Sequence, residues 1–173
     1  MTLVEKALQF ASEAHGSIGQ KRKYTGEDYI VHPIEVMEIV KSVPHTQEML
    51  AAALLHDTVE DTPATFEDIE REFGHEVCIL VQYLTDVSKP SDGNRRRRKE
   101  IDRDHTKYIS PSAKTIKLAD LISNSKTITE FDKHFAKVYM KEKALLLEVL
   151  TDGDATLYEM AKKIVSTYEA ESV

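Results

Sequence analysis

The sequence has few cysteines, glycines and prolines, and it has no tryptophan. Its one cysteine, Cys78, excludes an intramolecular disulfide and, by itself, a metal site made of several thiolates. Six glycines and five prolines in 173 residues supply too few turns for an all-β fold of many short strands. A chain with a single cysteine suits a reducing compartment, so we expect a cytoplasmic location.

Long apolar runs and an excess of positive charge are also missing. Polar residues such as Glu5, Lys6 and Glu13 interrupt the apolar N-terminal segment, so we expect no signal peptide. No apolar run approaches the ~20 residues that span a bilayer. Lys and Arg number 23 against 30 Asp and Glu, and the formal charge of -7 disfavours general binding to nucleic acid or to an anionic membrane. We therefore expect neither nucleic acid nor membrane as a partner, although a local basic site remains compatible with this charge, and the sequence leaves the oligomeric state open.

Helix signals are frequent along the chain. Alanine, leucine, glutamate and lysine are abundant, and these residues favour helix. Thr46 is a good N-cap for a helix that is expected to run to about Thr58 or a few residues beyond, and Ser110 with Pro111 is expected to start another. The length suits one compact domain over residues 1–173. We predict an all-α fold.

The stretch LLHDTVEDT at residues 54–62 concentrates ionisable groups in an apolar context. The preceding run, residues 49–55, has no polar face, which is typical of a helix surrounded by protein. On one continuous helix the four ionisable side chains would fall within an arc of roughly 140°. These side chains are His56, Asp57, Glu60 and Asp61. One wall of a cavity would then hold all four.

A second anomaly is Asp120, which stands in the apolar segment IKLADLIS. A buried carboxylate costs several kcal/mol unless it is paired, hydrogen-bonded or bound to metal. With His56 and Asp57 it would make a mixed nitrogen and oxygen site for a divalent ion such as manganese, iron, cobalt or zinc. His32 could complete the site, since we expect it in an extended conformation at the mouth of a helix that Pro33 opens. A metal with an open position supplies a Lewis acid and a nucleophilic water.

Glu60 and Asp61 follow one helical turn later and are candidates for general acid or base. Each of these features also has a structural interpretation. The pair His56 and Asp57 is by itself more often a core hydrogen bond than a pair of ligands, an acidic pair at a helix end is usually solvated, and Asp120 might pair with a lysine. Spacing alone does not decide between these interpretations.

Two basic segments are candidates for phosphate recognition. Arg22 and Lys23 lie in an expected ordered loop, and the run from Arg95 to Lys99 is either a solvated helix face or a funnel for phosphates. Asn124 lies one turn beyond Asp120, so both side chains are expected on the same face of a helix.

Four segments together resemble the HD-domain hydrolases of the RelA/SpoT type, in particular the small single-domain alarmone hydrolases. They are RKYTGEDYIVHP at 22–33, ALLHDTVEDT at 53–62, the Phe73-Gly74 pair with Thr85 beyond it, and IKLADLISN at 116–124. They occur in the order found in the family, and the resemblance extends from about residue 5 to about residue 150.

The resemblance implies a helical bundle of about eight to ten helices around one divalent metal ion, most often manganese. It assigns the metal ligands to His32, His56, Asp57 and Asp120. It assigns the catalytic pair to Glu60 and Asp61, and substrate contacts to Arg22, Lys23, Asn124 and Tyr139. Members of the family remove the 3′-diphosphate of guanosine tetra- or pentaphosphate (ppGpp or pppGpp), releasing pyrophosphate with GDP or GTP.

The chain departs from the long members of the family after the LAD motif. Where those read LADRLHN followed by MRT, this chain reads LADLISN followed by Ser125-Lys126-Thr127. Alternative substrates are therefore an adenosine alarmone, NADPH or a nucleoside phosphate, and a non-catalytic nucleotide sensor is the alternative from another class. The chain also ends too soon for a synthetase domain of the long members, so hydrolysis without synthesis is expected.

Overall fold

Ten α-helices and one 3₁₀ turn form the part of the chain that the computed structural model describes, residues 1–172. The α-helices are α1 (Leu3–Ser17), α2 (Val31–Lys41), α3 (Gln47–Leu55), α4 (Thr58–Asp61), α5 (Phe66–Phe73), α6 (His75–Leu84), α7 (Arg95–Thr106), α8 (Pro111–Phe131), α9 (Lys133–Leu147) and α10 (Ala155–Glu171). The 3₁₀ turn is Pro90–Asp92. The all-α prediction is confirmed.

Two compact units follow each other along the chain, one over residues 1–85 and one from Asp86 onward. The expectation of one domain over residues 1–173 stays a prediction, and Val173 lies outside the described residues. Among residues 1–172, no helix combines the length and the apolar composition needed to cross a membrane.

The first unit is built around α3. Residues 49–55 are all buried, so this helix has no solvated face, and it packs against α1, α2 and α6. Thr46 caps its start as predicted, with its hydroxyl accepting the backbone N–H of Met49 at 3.2 Å. The buried helix therefore carries its own C-terminus into the interior of the unit.

The prediction of one continuous helix from Thr46 to about Thr58 or beyond is wrong. α3 ends at Leu55, and α4 begins at Thr58. The last carbonyls of α3 bond to side chains: Thr58 Oγ1 donates to the carbonyl of Leu55 at 2.8 Å, and the His56 ring lies 2.6 Å from the carbonyl of Ala53. These side chains compete with the backbone for the carbonyl groups and end the helix at the His-Asp pair.

The predicted start of α2 also needs a correction. The helix begins at Val31, so His32 lies in its first turn and is not extended. Pro33 is tolerated there because the first N–H groups of a helix have no intrahelical partner. The backbone N–H of His32 instead bonds to the carbonyl of Tyr29 at 3.1 Å, which joins the helix to the loop before it.

The second unit is built around α8. Ser110 caps this helix and Pro111 opens it, as predicted, and the buried residues of α8 include Ile116, Leu118 and Leu121. α8 packs against α9 and α10. In the connection between those two helices, Gly153 approaches α8 so closely that a Cβ atom would lie 2.8 Å from Leu118 Cδ1.

We expect Gly153→Ala to lower the free energy of unfolding by about 1–3 kcal/mol, because overpacking forces a buried neighbour to move. The added methyl would meet Leu118, which is fully buried, and would also lie 3.3 Å from the carbonyl oxygen of Leu150. Urea denaturation followed by circular dichroism measures the change.

Gly16→Ala is the matched control, since a Cβ at Gly16 meets nothing within 4 Å. Gly16 lies in α1, where alanine favours helix over glycine by up to about 1 kcal/mol. Equal stability changes in the two variants would contradict the packing argument.

Candidate functional site

Two buried histidines and a carboxylate converge in the first unit. Candidate ligand atoms of His32, His56 and Asp57 all lie within 4.8 Å of one another. Asp57 Oδ2 is 3.1 Å from His56 Nε2 and 3.8 Å from His32 Nε2. The two histidines are 4% or less exposed, and Asp57 is half-buried. Three of the four predicted metal ligands therefore form one cluster.

The backbone determines how His56 presents its ring. His56 Nδ1 lies 2.6 Å from the carbonyl oxygen of Ala53, which can only accept a hydrogen bond, so Nδ1 carries the proton. In the neutral ring Nε2 then offers a lone pair toward the Asp57 carboxylate 3.1 Å away. Two electron-rich atoms at that distance repel each other unless a proton or a cation lies between them. The donor set, imidazole nitrogen with carboxylate oxygen, fits a divalent transition-metal ion.

Tyr29 is a member of this site that the sequence interpretation missed. Its hydroxyl donates a hydrogen bond of 2.6 Å to Asp57 Oδ2. Its ring lies 4.7 Å from the ring of His15 and 5.8 Å from that of His32. The available signal was its position three residues before His32, which places it at the entrance of α2. Tyr29 thus orients Asp57 and packs against His32, which are two of the predicted metal ligands.

The predicted catalytic pair lies on α4, directly after the cluster. Glu60 and Asp61 are exposed residues, although protein encloses part of the Asp61 carboxyl group. Asp61 Oδ2 accepts a hydrogen bond of 3.2 Å from Gln20 Nε2. The surrounding protein and the negative charge of Asp57 raise the pKa of Asp61, and the hydrogen bond from Gln20 opposes that rise. The Asp61 carboxyl therefore keeps its proton to a higher pH than an ordinary aspartate does.

His15 takes part in the same network. It is 1% exposed, and its Nδ1 lies 2.8 Å from Gln20 Oε1. Gln20 thus bridges His15 and Asp61, which are 46 positions apart in the chain. Nothing local in the sequence indicates this bridge.

The predicted substrate residues of the first unit differ in burial. Arg22 is half-buried, with its guanidinium carbon 5.8 Å from the centre of the Tyr29 ring. Lys23 is exposed, and its ammonium lies 5.3 Å from the ring of Tyr24. Arg22 is thereby held beside the tyrosine that bonds to Asp57.

The remaining predicted site residues lie in the second unit. Asp120 and Asn124 share one face of α8 as expected, and Asn124 Nδ2 donates to Asp120 Oδ1 at 3.2 Å. Asp120 is half-buried. Tyr139 is buried on α9, and the ammonium of Lys143 lies 4.9 Å from its ring centre. A role for these three in the site stays a prediction.

A sequence model described as HD domain matches residues 7–149. The mouse guanosine-3′,5′-bis(diphosphate) 3′-pyrophosphohydrolase MESH1 is 34% identical over 167 residues, which cover 92% of this chain and 90% of the mouse protein. The pyrophosphohydrolase of the same description from Aquifex aeolicus (strain VF5) is 37% identical over 144 residues. These cover 80% of this chain but 20% of that protein, so the chain spans about a fifth of that relative.

A solved structure is also similar to this chain over nearly its whole length. It is described as a metazoan ortholog of SpoT that hydrolyses ppGpp and plays a role in starvation responses. It superposes with a TM-score of 0.86 at 31% identity, covering 97% of this chain and 96% of the other. The helical fold of that structure is therefore the fold of this chain.

We expect Tyr29→Phe to weaken manganese binding by about 10- to 100-fold, because partners that orient a metal ligand contribute that much to affinity. The change removes only the hydroxyl that bonds to Asp57 and keeps the ring against the two histidines. Titration of the metal-free protein with Mn²⁺, followed by isothermal calorimetry, measures the affinity. Tyr108→Phe, at a side chain that is 80% exposed, is the control and should bind as the wild type does. Equal affinities in all three proteins would show that Tyr29 does not position Asp57.

Proposed function

The chain belongs to the HD-domain family, in its MESH1 group, and from this premise we propose that it hydrolyses ppGpp or pppGpp to GDP or GTP and pyrophosphate. The observation that carries the proposal is the buried cluster of His32, His56 and Asp57, whose ligand atoms lie within 4.8 Å of one another. The mouse relative that covers nearly the whole chain is named for this activity. A cytoplasmic location is part of the proposal, on the ground of the single cysteine.

We propose that Asp120 is the fourth metal ligand, in addition to the three residues of this cluster. The family resemblance supports Asp120 as fourth ligand and manganese as the ion. When bound, such an ion supplies a Lewis acid and lowers the pKa of a water molecule. The chain contributes the orientation of the ligands: Ala53 holds the His56 ring by Nδ1, and Tyr29 holds Asp57.

Hydrolysis breaks the bond between the 3′-oxygen and phosphorus, and the leaving 3′-oxygen must gain a proton while the attacking water loses one. We assign this proton transfer to Asp61, with Glu60 as its neighbour on α4. Burial and the charge of Asp57 raise the pKa of Asp61 toward neutrality, which improves a carboxylate as a proton carrier. Gln20 holds the carboxylate in place through a hydrogen bond of 3.2 Å.

Charge on the phosphates has to be balanced by cations and hydrogen-bond donors. We propose Arg22 and Lys23 for this role, and Asn124 and Tyr139 as further substrate contacts. Arg22 is supported by its position over the Tyr29 ring, which limits the freedom of its side chain.

We expect the purified protein with Mn²⁺ to release pyrophosphate from ppGpp, and Asp57→Ala to abolish the release, because Asp57 is the carboxylate that both histidines approach. The assay offers ppGpp, an adenosine alarmone, NADPH and ordinary nucleoside triphosphates in parallel, and phosphate and pyrophosphate are quantified separately. Wild-type turnover of an ordinary nucleotide alone would replace the proposal with that of another phosphatase.

Asp61→Asn separates catalysis from metal binding in the same assay. It preserves the proposed ligands, so it should bind Mn²⁺ normally and lose about 10²- to 10⁴-fold in turnover, the range typical of a lost acid–base group.

Nucleotide binding by the wild type without any turnover, under conditions where manganese is bound, would favour the alternative of a non-catalytic nucleotide sensor.

We expect Gln20→Leu to move one limb of the pH profile of kcat/KM to higher pH. The hydrogen bond from Gln20 lowers the pKa of Asp61, so its removal raises that pKa. The acid limb moves if Asp61 reacts in its ionised form, and the alkaline limb moves if it reacts protonated, but the direction is the same in both cases. Gln82→Leu, an exposed glutamine on α6, is the control. An unmoved profile in Gln20→Leu would exclude Asp61 as the titrating group.

A further inference from the structure

A small cavity in the second unit lies among α7, α8 and α9. Its volume is about 40 Å³, which is several times the minimum space that one water molecule needs. Charged side chains make up most of its lining. The cations are Lys99, Arg103, Lys117 and Lys143, and the carboxylates are Asp86, Asp102 and Glu142.

The carboxylates of this cavity already have partners. Glu142 receives two hydrogen bonds from Arg95, at 2.8 and 2.9 Å. Asp102 accepts the backbone N–H groups of Val87 and Ser88, both at 2.9 Å, and the Ser88 hydroxyl at 2.7 Å. Their capacity to neutralise the cavity is therefore largely used.

Three of the four cations have no such partner. Lys117 Nζ lies 4.0 Å from Asp86 Oδ1. Within residues 1–172, by contrast, the side chains of Lys99, Arg103 and Lys143 make no ion pair or hydrogen bond. The ammonium of Lys143 lies 4.9 Å from the centre of the Tyr139 ring, and the charges of Asp120 and Glu142 attract it without a direct ion pair. Four cations and three carboxylates thus line the cavity, and among the described residues three of these cations have no ion-pair partner.

The effect of this crowding is visible at Lys143. Burial, and then repulsion by Lys117 and Lys99, lower its pKa to about 8. At neutral pH the ammonium still carries its charge. Lys143 of α9, Lys117 of α8 and Lys99 of α7 therefore face one another as cations in a confined space. An anion among them would relieve the repulsion and replace the lost hydration.

We propose that Lys99, Arg103 and Lys143 form a binding site for one phosphate or diphosphate group. A multiply charged tetrahedral anion can accept hydrogen bonds from all three side chains, which a single carboxylate cannot do as well. Lys99 and Arg103 also line an adjoining groove of about 670 Å³ with the apolar side chains of Val138 and Leu145 in its wall. A phosphate in the cavity therefore has room to be the end of a larger molecule.

Two sources supply such a group: the nucleotide substrate and free pyrophosphate. Binding of the nucleotide substrate at this site depends on the proposed function, whereas binding of free pyrophosphate does not. We favour the substrate, because Val138 and Leu145 give the groove beside the cavity an apolar surface on which a nucleoside can pack.

Titration with inorganic pyrophosphate tests the site directly. The full chain is titrated by isothermal calorimetry in its manganese-loaded form and again after removal of the metal with a chelator, so that binding through the metal is recognised. We expect Lys143→Met to weaken binding by about tenfold or more in both forms, since a charge-assisted contact is lost. Lys141→Met is the control: this lysine lies on the same helix and lines the groove but not the cavity, so it should bind as the wild type does.

Two further variants keep the test decisive if Lys143→Met unfolds, which its circular dichroism spectrum reports. Lys99→Met on α7 should give a similar loss, and Lys143→Arg should recover most of the affinity. Wild-type affinity in both Lys143→Met and Lys99→Met would overturn the proposal.

Steady-state kinetics distinguishes the two sources. If the site holds the substrate, Lys143→Met raises KM for ppGpp about tenfold with little change in kcat. If it holds free pyrophosphate, KM is unchanged and inhibition by pyrophosphate weakens. A wild-type protein that binds pyrophosphate without metal but hydrolyses no nucleotide would overturn the proposed function and leave this site standing.

Discussion

The opposition of His56 Nε2 and the Asp57 carboxylate, 3.1 Å apart, is the constraint on which the chemistry of the first unit depends. Neither group can relax, because Ala53 holds the imidazole by its other nitrogen and Tyr29 holds the carboxylate. The apolar residues of α3 stabilise this arrangement, since burial of each leucine contributes about 1.5–3 kcal/mol. A proton or a cation between the two groups removes their repulsion, and their donor atoms are of the kind that a divalent transition-metal ion binds.

In the second unit the groups that face one another are positively charged. There Arg95, backbone amides and Lys117 contact the carboxylates, while Lys99, Arg103 and Lys143 have no ion-pair partner within residues 1–172. The first unit thus brings together electron-pair donors of histidine and aspartate, and the second brings together positively charged side chains.

The proton transfer proposed for Asp61 depends on a balance of opposing effects on the pKa of its carboxyl group. Burial and the charge of Asp57 raise its pKa, whereas Gln20, His15 and His56 lower it. Such a balance is how an enzyme brings a carboxyl group closer to the working pH without losing its ionised form. Gln20 has the double role of adjusting this pKa and of aiming the carboxylate, and the buried His15 holds Gln20 in turn.

The sequence by itself determined the helical class, the starts of α3 and α8 and the order of the chemical motifs. Thr46, Ser110 and Pro111 act within a few residues along the chain, so their effect can be predicted without a fold. It also determined that His56 and Asp57 stand at the end of an apolar segment. It did not predict that the helix stops there, because the carbonyls of Ala53 and Leu55 are taken by side chains whose rotamers depend on packing.

Only the tertiary structure decided which distant residues meet. Tyr29 reaches Asp57 across 28 positions and Gln20 reaches Asp61 across 41, through contacts that leave no periodic trace in the sequence. The basic run from Arg95 to Lys99 shows the same limit. Arg95 is neutralised by Glu142, 47 positions away, while Lys99 lines a cavity with its charge uncompensated. Adjacent residues of like charge have different roles here because helix packing, and not local sequence, brings their partners within hydrogen-bonding distance.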